Sequence, residues 1–91
     1  MSCREILELF CEQNSDKYYI YHDYSGRFMY GAKCDGIVVK KNYSYMKMLI
    51  ELTRFLDEQG FEDPDLEFEN PAVDELGLDT IVYFPRLNAE S

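Results

Sequence analysis

The chain has no tryptophan, one histidine, and neither lysine nor arginine between Phe55 and Pro85. Each shortage excludes something. His22 stands in a tyrosine-rich run with no serine or cysteine beside it, which argues against a nucleophile–base pair and so against hydrolytic chemistry. The three cysteines, Cys3, Cys11 and Cys34, are an odd number without a CxxC pair. That pattern fits neither a disulfide framework nor a zinc site, and it predicts reduced thiols in the cytoplasm. No apolar run approaches the ~18–20 residues of a membrane span. The opening Met-Ser-Cys-Arg-Glu has no basic stretch followed by an apolar core, so no secretory leader is expected. With no repeat, linker or low-complexity tract, residues 1–91 read as a single domain.

What is present is acid, unevenly placed. Net charge is −9. Met1 to Arg54 carries seven acids against eight bases, whereas Phe55 to Pro85 carries ten acids and no base. The ten are Asp57, Glu58, Glu62, Asp63, Asp65, Glu67, Glu69, Asp74, Glu75 and Asp79. Such a segment repels DNA and anionic membranes, so direct binding to either is disfavoured. A solvated face that maintains solubility is the plainer reading of the same charges.

Periodicity predicts an α+β fold. Ser2-Cys3-Arg4-Glu5 has the form of a capping box, and Ile6, Leu7 and Phe10 follow at helical spacing, giving a helix over 3–13. Lys17 to Tyr24 alternates as a strand, with Tyr19 and Tyr21 on the face opposite Tyr18 and Ile20. After a Ser25-Gly26 turn, strands are expected over 27–31 and 37–39, with a turn within 32–36. Asn42 or Ser44 caps a second helix over 45–59, whose apolar stripe is Tyr45, Met48, Leu49, Leu52, Phe55 and Leu56. Gly60 suits a left-handed helix end. Asp65 to Glu69 alternates acid with apolar residues, as a half-buried strand does. A loop over 71–78 and a last strand over 80–84 complete the order αβββαββ: an antiparallel sheet with two helices packed on it.

No motif in the sequence carries chemistry. Asp63-Pro-Asp65-Leu-Glu67-Phe-Glu69 lacks the central glycine and terminal glutamate of a calcium loop. Gly26, Gly31 and Gly36 precede no helix, so they read as turns or a bulge and not as a phosphate cradle. No cofactor, metal or catalytic residue is therefore assigned, and the protein is expected not to be an enzyme.

Binding remains. Along a strand rising about 3.3 Å per residue, Asp65, Glu67 and Glu69 project from one face about 6.6 Å apart. Joined by the other seven acids, they would offer a phosphate-like array to a basic groove. Tyr19 and Tyr21 would add amphipathic contact area, although sheet packing is the simpler role for most of the tyrosines.

Two segments resemble known sequences. Tyr24-Ser-Gly-Arg-Phe-Met-Tyr-Gly-Ala-Lys-Cys-Asp-Gly-Ile-Val-Val39 is similar to an SGRxMYGxxCxGIV stretch, and Asp74-Glu-Leu-Gly-Leu-Asp-Thr-Ile-Val-Tyr-Phe-Pro85 to a DxxGLxTIVYxP ending. Both occur in small bacteriophage and prophage proteins of unassigned function. The resemblance implies a phage or mobile-element origin and transfers no catalytic residue. Small acidic phage proteins are often inhibitors of host defence, including anti-CRISPR proteins that occupy the nucleic-acid groove of an RNA-guided nuclease.

The sequence thus leads to an acidic inhibitor, monomeric rather than dimeric, binding a protein partner through a basic nucleic-acid groove. The alternative is an interaction domain that uses its tyrosine-rich sheet, as a homodimer through an edge strand.

Overall fold

The computed structural model describes residues 3–26, 31–60 and 71–84. Helix α1 is Cys3–Gln13, strand β1 Tyr18–Tyr24, strand β2 Cys34–Val39, helix α2 Tyr45–Glu58, strand β3 Ala72–Leu76 and strand β4 Asp79–Tyr83. All strand pairings are antiparallel, in the order β1-β2-β4-β3. The architecture is α+β.

Both helices lie on one face of the sheet. Ile6, Leu7, Phe10 and Cys11 of α1 and Met48, Leu52, Phe55 and Leu56 of α2 bury against Tyr18, Ile37, Val39, Val82 and Phe84. Each large side chain so buried contributes about 1.5–3 kcal/mol before entropy is charged against it. Phe10 is the hinge of this packing, stacked on Tyr18 at 5.6 Å and tilted against Phe55 at 5.5 Å. At the end of α1, the Asn14 side-chain amide donates to the Phe10 carbonyl at 2.9 Å. Ser44 is the N-cap of α2, its hydroxyl accepting from the Lys47 amide, and Gly60 follows the helix with φ +81°. Of the two caps the sequence offered, Asn42 instead takes a positive φ of 77° in the preceding loop.

The opposite face has its own small core of Cys34, Val38, Ile81 and Tyr83, with Tyr24, Ala32, Ala72 and Leu76 against it. Gly26 crosses this face so closely that a Cβ there would sit 2.2 Å from Cζ of Tyr83. Only glycine fits beneath that ring.

Three expectations need correction or fall outside the described residues. First, the order among the described residues is αββαββ rather than αβββαββ. The strand expected over 27–31 falls mainly outside the described residues, as does the one over 65–69. Second, residues 71–78 are not a loop, because β3 occupies most of them and pairs with β4 from Ala72↔Tyr83 to Leu76↔Asp79. Gly77 (φ +65°) and Leu78 form a two-residue hairpin turn, so pairing and turn geometry override the weak strand propensity of Ala72, Asp74 and Glu75. Third, β2 starts at Cys34, inside the stretch expected to turn. Asp35 is held there by its partners, and a Cβ on Gly36 would come 3.0 Å from the Ile81 side chain, a tight fit that glycine avoids.

Candidate protein-interaction surface

The ten acids do not share one role. Asp57 and Glu58 stand exposed at the C-terminal end of α2. Glu75 is exposed on β3. It lines a groove with Tyr45, the first residue of α2, whereas Glu58 is the last residue of that helix. Asp74 and Asp79 work inside the fold. The Asp74 carboxylate accepts from the Tyr24 hydroxyl at 2.8 Å and the Tyr83 hydroxyl at 3.3 Å. Asp79 accepts from the Lys41 amide at 2.9 Å, fixing the loop that leads into α2. Glu62, Asp63, Asp65, Glu67 and Glu69 lie outside the described residues.

The bases with described partners lie elsewhere. Among the described residues, ion pairs join Arg4 to Asp23 and Asp35 and Lys17 to Glu51, and a protonated His22 would pair with Asp35. None of these reaches an acid beyond residue 54. The Lys40 ammonium donates to the Ser15 carbonyl at 2.9 Å.

Strand alternation brings Tyr19 and Tyr21 to the face opposite the helices, the face that Asp74 also occupies. Tyr19 is 40 % exposed and Tyr21 39 %. Burial, with Asp79 and Tyr21 nearby, raises the Tyr19 phenol above its usual value. Tyr21 meets Tyr24 edge-on at 5.5 Å, and Tyr24 meets Tyr83 at 5.1 Å. Burial and the Asp74 bond push the Tyr24 phenol up to about 12. On this face the described tyrosines thus divide between an anchored pair, Tyr24 and Tyr83, and an exposed pair, Tyr19 and Tyr21.

One polar cluster escaped the sequence reading. Asp35 is 9 % exposed and accepts from Arg4 Nε at 2.8 Å and an Arg4 terminal nitrogen at 3.0 Å. His22 Nδ1 lies 2.9 Å from the same carboxylate. Burial alone would raise this carboxyl, but the bonds from Arg4 and His22 outweigh it and hold the group below its ordinary value. The available signal was register: His22 shares a sheet face with Ile20, as Asp35 does with Ile37, and that face meets α1. Cys34 projects to the other face, so the sheet separates its thiol from the imidazole. Cys11 and Cys34 are both buried; burial pushes the Cys11 thiol up to about 12 and raises the Cys34 thiol as well. Neither therefore has the depressed thiol of a reactive cysteine.

Among the described residues, no three His, Cys, Asp or Glu side chains are arranged to hold a metal, and no helix is long and apolar enough to cross a membrane. The acidic segment from Asp63 to Glu69 lies outside those residues. No family model, curated protein or solved structure matches the chain.

Proposed function

We propose that the protein is a non-enzymatic inhibitor whose acidic surface binds a partner protein in a basic groove that otherwise holds nucleic acid. One observation carries this reading. The described ion pairs draw on bases and acids of the first 54 residues alone, and none of them reaches Asp57, Glu58 or Glu75. Uncompensated like charge costs stability by self-repulsion, and a cationic groove relieves that cost on binding. Asp74 and Asp79 support the fold, so the contact set is Asp57, Glu58, Glu62, Asp63, Asp65, Glu67, Glu69 and Glu75. The resemblance to phage proteins makes a host nucleic-acid enzyme, such as an RNA-guided nuclease, the natural class of target.

The test is affinity capture of host proteins on the immobilised chain, repeated with competing duplex DNA and at rising salt. DNA should displace the captured partner, and salt should weaken it steeply. Replacing Asp65, Glu67 and Glu69 together by alanine should reduce affinity by orders of magnitude without unfolding the domain. Capture indifferent to both DNA and salt would overturn the reading.

A second reading is favoured by the exposure of Tyr19 and Tyr21 side by side on the sheet face opposite the helices. In that case the sheet is the contact surface and the chain self-associates. Sedimentation at several concentrations separates the two, since a highly charged mimic stays monomeric.

A further inference from the structure

The hairpin β3–β4 places backbone, groove and charge together. Its closing pair, Leu76↔Asp79, flanks the two-residue turn Gly77-Leu78. Closing pairs of two-residue hairpins are hydrogen-bonded, and bonded pairs then alternate with non-bonded ones. The Val73↔Val82 and Glu75↔Thr80 pairs are therefore of the non-bonded kind. Val73 and Glu75 turn their N–H and C=O groups away from β4, and no described strand pairs on that side. Alternation also sends their side chains to the helix-bearing face. There they line a groove of about 660 Å³ with Tyr45 and Thr80. Glu75 is exposed, and no described base pairs with it.

We propose that the outer edge of β3 is a docking strip for an extended, basic segment of a partner protein, which adds beside β3 with alternate side chains in the Tyr45–Glu75 groove. Main-chain bonds to Val73 and Glu75 supply affinity, and the groove supplies selectivity, as in other strand-addition complexes. The charge selects the occupant. A lysine or arginine entering the groove meets the Glu75 carboxylate, whereas an acidic side chain is repelled by it. Tyr45 and Val73 offer apolar contact for a β-branched neighbour. This inference rests on the acidic-surface reading, since it names one place where the basic partner makes contact.

The probe is a synthetic octapeptide of alternating lysine and valine, titrated into the isotopically labelled full chain and followed by amide shifts and amide exchange. Saturable shifts are expected at Tyr45, Val73, Glu75 and Thr80, with slower exchange at Val73 and Glu75. Glu75→Lys should weaken the peptide at least tenfold, whereas Glu12→Lys, an equal change of charge at an exposed site on α1, should leave its affinity within twofold. N-methylating alternate peptide nitrogens on the bonding edge should abolish binding. Circular dichroism confirms that each variant folds. Shifts centred on Asp57, Glu58 or residues 62–69, with β3 silent, would overturn the docking strip but leave the acidic-surface reading standing. No saturable shift near any acid would count against both, and equal binding by a glutamate–valine peptide would remove the role given to Glu75.

Discussion

The two faces of the sheet are held by different physics. Against the helices, Ile6, Leu7, Phe10, Leu52, Phe55 and Leu56 meet Ile37, Val39 and Val82, and contact is almost wholly apolar. On the other face, Val38 and Ile81 are also buried, yet the largest side chain, Tyr83, is tied through its hydroxyl to Asp74 and roofed by Gly26. The first face depends on volume, which tolerates some repacking. The second depends on direction, because hydroxyl–carboxylate bonds weaken steeply with misalignment. It is also the face that leaves Tyr19 and Tyr21 to solvent, so this protein combines a closed apolar core with a hydrogen-bonded, partly open surface.

The sharpest way to break that contrast is Phe10→Ala. It empties the contact point between α1, β1 and α2 and should cost about 3–5 kcal/mol, measured by urea denaturation. Gly26→Ala probes the other face. A methyl 2.2 Å from the Tyr83 ring forces that ring to move, straining its bond to Asp74. The expected loss is about 1–3 kcal/mol. Tyr83→Leu in the same chain should recover part of it, and no recovery would mean that the glycine is needed for another reason.

The smallest effect concerns a polar cluster on the helix-bearing face. Because the folded Asp35 carboxyl lies below its ordinary value, its contribution to stability is complete above about pH 4. That contribution is lost as pH falls through the lower folded value. Asp35→Asn should therefore shrink the fall in urea midpoint between pH 6 and pH 3. The Arg4 side chain is 54 % exposed, which screens the pair and keeps the difference under about 1 kcal/mol. An unchanged pH profile would show that Arg4, His22 and Asp35 are neighbours without energetic coupling.

Legibility in the sequence followed the same division. Residues obeying one strong period were readable: the spacing of Ile6, Leu7 and Phe10, the stripe from Met48 to Leu56, the stop at Gly60. Features set by partners distant in sequence were not. Asp74 and Glu75 are poor β-formers and became strand because Ile81 and Thr80 pair with them. Asp35 looked like a turn residue until Arg4, 31 positions away, satisfied its carboxylate. The candidate surface was legible as charge but not as placement. Composition could not show that Asp74 serves two tyrosines and Asp79 a backbone amide, while Glu75 remains available.

The register of β1 shifts by one residue between Tyr21 and Tyr24, where Asp23 adopts φ +57°. Strict alternation would turn Tyr24 toward the helices, beside His22. The extra residue reverses the parity of the strand midway, so a single ribbon delivers His22 to Asp35 on one side and Tyr24 to Asp74 on the other. Without Asp23, His22 and Tyr24 would be neighbours in the strand, and plain alternation would still set them on opposite faces. A one-codon deletion at this position would thus remove the bulge and leave both attachments within reach, for the residue itself is exposed and its described ion pair is a 4.0 Å contact with Arg4.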